Sequence, residues 1–487
     1  MKEATRLVLS ILVFVSANIM GCLSFIGKFP KRDVRTVNNL MNSRISFRRF
    51  ISTEHADSSV NTDTVFPESF KSSFLQTMMD RGFINQCTDF KGLDEKLMNG
   101  TTSAYLGFDA TASSLHVGSL LQIMILRTLQ KHGHKPIILI GGGTTKVGDP
   151  TGKDESRQLL SEEMINENAA SISRVFQKFI KFGEKDTDAI MVNNADWLNN
   201  IQYLDFLRDY GRYFTINRML SFESVKQRLA REHPLTFLEF NYMLLQAYDF
   251  LQLHRLYGTS LQLGGSDQWG NIISGIELTR KVDQRTVYGL TAPLILNSEG
   301  KKMGKTASGA LWLNKELLSE YEYWQFWRNT DDADVIRFLK LFTEVSLDEI
   351  AHMSSWEGSQ LNSAKRRLAD EATTLLHGSE CLSQIHATAD SLFKGEGNDL
   401  DSLPTVALTS TNQVEGEGVL VVDMLVRAEL AGSKSEAKRL IKGGGARVNG
   451  VKVESETVSV TRSDFDEEGR LKLSLGKKKH VVITIPL

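Results

Sequence analysis

The chain has 487 residues, enough for two to four domains, the largest with a full core. Hydrophobic residues at 41% and charged ones at 24% are ordinary for a globular protein, and a net charge of −2 excludes a uniformly basic nucleic-acid coat, so any RNA binding must come from local patches. Cys22, Cys87 and Cys381 stand far apart in no ligand spacing, which argues against a disulfide framework or structural zinc and fits a reducing compartment.

Residues 1–69 read as a leader. Leu7 to Ile26 is nearly charge-free, yet Ser10, Ser16, Asn18, Gly21 and Ser24 weaken it as a membrane span. The Arg- and Ser-rich run that follows, with Asp33 as its only acid, suits an organelle transit peptide; a membrane anchor or a disordered tail is the alternative. From Phe70 the pattern turns globular. FLQTMMDRGFINQC predicts a short helix, TSAYLGFD a strand, LLQIMILRTLQ a helix closing at Gly133, and PIILIGG a buried strand. Strand, tight loop, helix, strand is half of a nucleotide-binding α/β unit. His116 and Gly118 stand at that helix start, where free N–H groups can meet phosphate.

GGGTTKVGDPTGKDESR is an irregular glycine-rich loop carrying Lys153 and Arg157. In the next helix Ile165, Ala169, Ile172, Phe176 and Phe179 recur at steps of four and three. DAIMVNNADWL supplies another strand and turn, and this alternation implies a parallel, doubly wound sheet. Leu238 to Tyr257 predicts an almost wholly apolar, buried helix. Tyr242, Gln246 and Asp249 fall on it at i, i+4 and i+7. Three polar groups in line on a buried helix suit the wall of a binding pocket, because a buried carboxylate is costly unless something meets it. LQLGGSDQWGN repeats the strand–glycine–helix geometry, with Asp267 set to accept from a ribose hydroxyl.

A third element, LTAPLILNSEGKKMGKTASGALWL, places Lys301, Lys302 and Lys305 around Gly304; it reads as a solvated basic turn or as a mobile loop aimed at polyphosphate. Residues 321–397 are mostly helical, 398–417 form a polar linker, and 418–487 form a small module of two helices, a Gly-Gly-Gly turn and a strand. Lys434, Lys438 and Lys442 share one helical face there with Arg439 beside them.

Taken together, from about Phe70 to the C-terminus, these blocks resemble the bacterial and organellar tyrosyl-tRNA synthetases. YLGFDATASSLHVGS is similar to the family's Tyr-x-Gly-Phe-Asp-x-Thr-Ala segment joined to its His-Ile-Gly-His signature, and KMGKT to the Lys-Met-Ser-Lys-Ser signature. GDPTGK, the Tyr-x-x-x-Gln-x-x-Asp stripe and GGSDQWGN resemble further blocks in the family's order, and the tail resembles the alpha-L RNA-binding domain. Departures are Ser119 for the second signature histidine, Leu106 for a common cysteine, and Gly304 and Thr306 for two serines.

The resemblance implies a Rossmann-type catalytic domain over 70–320, an α-helical tRNA anticodon-region domain over 321–397 and an alpha-L RNA-binding domain over 418–487. It implies two-step aminoacylation of tRNA(Tyr) with L-tyrosine and ATP, Mg²⁺ travelling on the ATP phosphates, in a homodimer of the mitochondrial matrix or a plastid, with no stable membrane association once mature. By the same resemblance Thr111, His116, Lys153, Arg157, Lys302 and Lys305 would act on the departing phosphates. Tyr105 and Asp249 would meet the phenol hydroxyl, Asp149, Tyr242 and Gln246 the ammonium, and Gln268 the carboxylate. Gly107, Asp109, His116, Gly118, Gly265, Asp267 and Lys305 would contact ATP, and Lys434, Lys438, Arg439 and Lys442 RNA phosphates. Two rivals are an RNA-binding or splicing cofactor that keeps the fold, opposed by the intact His116, Lys302, Lys305 and Asp249, and a tryptophan-specific relative, opposed by Tyr105 and Asp249.

Overall fold

Six strands form the central sheet: β1 (Gln86–Cys87), β2 (Ser103–Phe108), β3 (Lys135–Ile140), β4 (Ile190–Asn193), β5 (Leu261–Gly265) and β6 (Tyr288–Ala292). Their spatial order is β1-β6-β5-β2-β3-β4, parallel throughout except for the short edge pair β1–β6. β2, β3 and β5 are almost wholly buried, as strands covered by helices on both faces must be. The chain steps outward from β2 to β3 and β4, then returns to the other side of β2 with β5 and β6. The order therefore reverses between β2 and β5, and in such sheets the ligand crevice lies there, outside the carboxyl ends of the strands. The computed structural model describes residues 66–487 except 152–158, 299, 301–302, 304, 307–308, 395–402, 404, 409–413, 415–417, 477–478 and 487, and omits the side chains of 305–306, 309 and 391–394. The described residues all lie within one compact unit, Val60–Leu487; the expected leader over 1–69 falls almost wholly outside them.

Helices α1 (Ser73–Arg81) and α2 (Phe90–Met98) precede β2. Helix α3 (Val117–Lys131) joins β2 to β3 and buries Leu120, Ile123, Met124 and Leu126; the chain leaves it through Gly133 at φ 81°, a left-handed conformation suited to glycine. Helix α4 (Glu162–Phe179) is capped by the Ser161 side chain and buries Ile165, Ile172, Phe176 and Phe179, the expected stripe, with Ala169 partly buried. The helix expected over Leu238–Tyr257 is broken. A short turn, Phe237–Phe240, is separated by Asn241 from α5 (Tyr242–Tyr257). Its Glu239 is held by the Thr236 cap and by Arg228, an ion pair with both side chains buried, so this turn is fastened to the residues before it and leaves Phe237 and Leu238 exposed. Helix α6 (Trp269–Asp283) lies close to α5: a Cβ added at Gly275 would come within 3.0 Å of Phe250.

Beyond the sheet, α7 (Glu320–Arg328), α8 (Val335–Phe342) and α9 (Ser359–His377) have no core of their own. Tyr323, Trp327, Phe338 and Phe342 belong to the same apolar cluster as Leu120 and Phe176. Arg81 donates to the carbonyls of Lys340, Thr343 and Val345 at the end of α8, and Glu344 takes both Arg127 and Lys131 of α3. Helices α10 (Val421–Arg427) and α11 (Lys434–Lys442) pack on a second sheet with a separate core. That sheet contains β7 (Thr405–Ala407), β8 (Ala446–Val448), β9 (Val451–Lys452), β10 (Arg470–Leu475) and β11 (Lys479–Thr484), in the order β9-β8-β10-β11-β7. Part of the stretch read as a linker over 398–417 is thus an edge strand parallel to β11, and Leu408 and Val414 enter the module's core. Among the described residues no helix is long and apolar enough to cross a membrane.

Candidate active site

The crevice at the switch point is a cavity of about 210 Å³. Tyr105, Gly107 and Asp109 are alternate residues along β2 and its extension and reach it from one face of the sheet. Gly107 is the only exposed position of β2, where the missing side chain opens the cavity floor. Tyr242, Gln246 and Asp249 supply the α5 wall, Gly264, Asp267 and Gln268 arrive at the end of β5, and Thr111 stands beyond β2.

One end of the cavity is built around Asp249, which is 1% exposed. Its carboxylate oxygens accept from Asn194 Nδ2 at 2.9 Å and Trp197 Nε1 at 2.8 Å. Burial pushes this carboxyl up to about 7; the two donors pull against that rise, and the charge of Asp109 adds to it. Tyr105 is fully buried and packs edge-on against Phe250, with ring centroids 5.2 Å apart. Its hydroxyl has no hydrogen-bond partner among the described residues. Burial, followed by the Asp249 charge, holds that phenol well above its ordinary range, so it remains a neutral donor. Leaving such a hydroxyl unpaired costs about 1–3 kcal/mol. Beside a carboxylate that still has lone pairs to offer, it completes a polar socket for one more hydroxyl.

The other end is acidic. Asp109 accepts from Tyr242 Oη at 3.1 Å and from Thr144 Oγ1 at 2.8 Å. Gly141 allows that approach, because an added Cβ would lie 2.6 Å from the Thr144 hydroxyl and closer still to Asp109. Burial, then the charge of Asp109, raises the Tyr242 phenol well above its ordinary range. Asp149, 8% exposed, accepts from Gln268 Nε2 at 2.8 Å and from the Thr151 N–H at 2.9 Å. Asn194 joins the two ends: its Nδ2 also reaches Thr144 Oγ1 at 3.0 Å, and its Oδ1 takes the Gly143 N–H at 2.8 Å. Asp109, Asp149, Asp249 and Asp267 share the wall, and among the described residues lining it there is no lysine or arginine. That charge pattern suits a ligand with an ammonium group.

His116 and Gly118 lie beside this wall rather than in it, at the start of α3, while Gln122 one turn further on does line the cavity. The segment after the lysine loop is zipped to this helix start: Val117 N–H donates to Leu311 and Leu313 N–H to Leu115, both at 2.9 Å. Gly118 lets that loop come close. A Cβ there would stand 3.3 Å from the Met303 carbonyl and 2.6 Å from the His116 ring. Gly265 is equally crowded, by Asp267 Oδ1 at 2.6 Å. Lys305 is described by its backbone alone, which pairs with Ala310. Lys153, Arg157 and Lys302 lie outside the described residues.

On the tail, the basic face of α11 carries its own acids. Lys434 pairs with Asp423 at 2.8 Å, and Lys438 and Lys442 with Glu456 at 3.7 and 3.4 Å, while Arg439 is exposed. Asn194, Trp197, Thr144, Gln122 and Gln262 belong to the site beyond the residues expected from the sequence. A signal existed for the first two: NADWL directly follows the parallel strand β4, where such sheets place their ligand contacts. The same signal covers Thr144, in the glycine-rich loop after β3, whereas Gln262 lies inside a strand and only folding brings it to the cavity.

Residues 97–394 match the family model described as tRNA synthetases class I (W and Y), and the chain belongs to that family. Residues 401–483 match the tyrosine–tRNA ligase SYY-like C-terminal domain. The chain is 55% identical to the tyrosine–tRNA ligase of Zymomonas mobilis over 85% of its own length and 98% of that protein's. It is 53% identical to that of Rhodospirillum rubrum, with 85% and 98% covered. The C-terminally truncated mitochondrial tyrosyl-tRNA synthetase of Aspergillus nidulans superposes with a TM-score of 0.59 at 30% identity, over 66% of this chain and 94% of that one. Within the class, these likenesses place the chain among the tyrosine–tRNA ligases.

Proposed function

We propose that this cavity binds L-tyrosine with its phenol between Tyr105 and Asp249 and its ammonium toward Asp149, Tyr242 and Gln246, for activation by ATP and transfer to tRNA(Tyr). The observation that carries this reading is the closed polar socket, a neutral buried donor beside a buried acceptor. No protein nucleophile is required, because the substrate carboxylate attacks the α-phosphate itself. Positioning and charge stabilisation then supply the rate. Gln268 orients the carboxylate, and Gly107, Gly265 and Asp267 face the adenylate. Asp109, with its oxygens given to Tyr242 and Thr144, serves the ammonium end more than the nucleotide. Thr111, His116 and Gly118 meet the leaving phosphates, over which Lys153, Arg157, Lys302 and Lys305 close. Mg²⁺ enters on the phosphate oxygens of ATP.

The same proposal covers an organellar setting, by way of the Arg- and Ser-rich leader, and a homodimer. Leu204, Ile216 and Phe237 are 77%, 59% and 69% exposed in the connection between β4 and α5, apolar surface of the kind an interface covers. The test is tyrosine-dependent ATP–pyrophosphate exchange, with phenylalanine and tryptophan as competitors. Phenylalanine leaves the socket unpaired, and tyrosine-specific synthetases are themselves the established example of that logic, with a discrimination of about 10⁵. Tyr105→Phe removes the unpaired hydroxyl, so it should raise the thermal stability of the ligand-free protein, and it should lower tyrosine-over-phenylalanine discrimination by roughly 3- to 10-fold, one hydrogen bond's worth. Equal exchange with all three amino acids would overturn the reading.

A further inference from the structure

As a carboxylate Asp149 can only accept hydrogen bonds, and its polarity propagates through three neighbouring amides. Its Oδ2 lies 2.8 Å from Gln268, so the Gln268 atom facing it is the donor Nε2. The Gln268 oxygen then faces Asn271 at 3.2 Å, and the Asn271 atom there is the donor Nδ2. The same nitrogen has a second hydrogen, which goes to Gln246 Oε1 at 3.0 Å. Reversing any one amide sets oxygen against oxygen or N–H against N–H. Asp149, Gln246 and Gln268 line the cavity. Asn271 does not; it is 7% exposed in the first turn of α6.

We propose that Asn271 is a positioning residue that fixes the side-chain amides of Gln246 and Gln268 for recognition of the substrate's amino-acid head. The inference rests on the reading of the cavity as a tyrosine site. In that frame Gln268 keeps one N–H beyond the one given to Asp149, for the substrate carboxylate. Gln246 keeps a second lone pair on Oε1 for the ammonium and presents its amide nitrogen as a donor. Without Asn271, Gln268 is still oriented by Asp149, but Gln246 is free to turn over.

The two glutamines therefore respond differently to two substitutions, measured by pyrophosphate exchange on the full chain. Asn271→Asp keeps the shape and places an acceptor where both carbonyls need a donor; the tyrosine KM should rise at least roughly tenfold, on the scale of a buried group left unpaired. Asn271→Ala releases Gln246 alone, and the rise should be about threefold, one ordinary hydrogen bond. In both variants the KM for ATP should stay within about twofold of the parent, since uniform damage to the fold would move both constants.

Acidification supplies an independent reading. Protonated, the introduced carboxyl regains a donor, so the variant-to-parent ratio of tyrosine KM should fall between pH 8 and 6 for Asn271→Asp and stay flat for Asn271→Ala. Asp249, on the helix that carries Gln246, titrates in this range in parent and variant alike, the Tyr242 phenol stays neutral throughout it, and Asp149 across Gln268 is common to both, so the ratio isolates the introduced group. Parent-like tyrosine KM in Asn271→Asp, or equal rises in both KM values, overturns the proposal. If circular dichroism shows that Asn271→Asp does not fold, Asn271→Ala decides alone, and an unchanged tyrosine KM overturns it. A parent that exchanges no pyrophosphate with tyrosine overturns instead the reading of the cavity.

Discussion

Asp249 concentrates the chemistry of the site in one carboxyl. It is held by two donors and still raised to about 7, because burial outweighs them. The folded protein therefore keeps a proton that the unfolded chain, with the ordinary value of 3.8, has released. Stability from this group is fully present below about pH 4 and is lost as pH rises through 7, on the order of 4 kcal/mol. Asp249→Asn removes the titration. Its stability relative to the parent should improve steadily between pH 4 and 7, as read from urea midpoints, while tyrosine exchange falls more than tenfold. A flat difference across that range would mean that Asp249 remains ionised in the folded state.

Among the elements, α3 and α5 show how position on a helix becomes chemistry. The stripe on α5 works because its steps of four and three keep Tyr242, Gln246 and Asp249 on one face, and that face was readable from the sequence. The helix start was not, because Thr236 and Arg228 capture Glu239 and cut the apolar run at Asn241. On α3 the decisive residue is Gly118, pressed between the His116 ring and the Met303 carbonyl. Gly118→Ala must turn the His116 ring aside and ease the Met303 carbonyl back by a few tenths of an ångström, so its melting temperature should fall only slightly. With His116 moved, the kcat of pyrophosphate exchange should fall at least roughly tenfold at unchanged tyrosine KM, since contacts to leaving phosphates act in the transition state. A change confined to the tyrosine KM would remove His116 from the phosphate end.

At the scale of the whole molecule the tail is set apart by its own core, yet its first strand is β7, upstream of Gly418. Truncation before residue 401 removes the whole module, losing the Leu403 and Val482 contacts with the main core, whereas truncation at Gly418 leaves β7 without its partner β11. The first should spare tyrosyl-adenylate formation and weaken tRNA charging; unchanged charging would show that the module does not hold tRNA. Replacing Lys438, Arg439 and Lys442 together should flatten the salt dependence of tRNA binding, because phosphate contacts release counterions. Two of these residues are already paired with Glu456, so RNA must displace that carboxylate to gain them. A salt profile identical to the parent's would reduce this face to a solvated surface.

The sequence by itself determined the doubly wound sheet, the α5 stripe and the glycine turns, because each is written in local periodicity and in the φ that only some residues accept. It also carried the family blocks on which tyrosine chemistry rests. What only the tertiary structure decided are contacts between elements distant in the chain. Trp197 and Asn194 reach Asp249 across 52 and 55 positions, Glu344 ties α8 to α3, and Leu408 joins the core of a module that begins in an apparent linker. The helices over 321–397 look like a separate domain in sequence, but their aromatic side chains finish the core of the catalytic sheet. Local pattern reports which face of an element is apolar. It does not report which other element that face meets, and burial and hydrogen-bond satisfaction across the whole fold settle that choice.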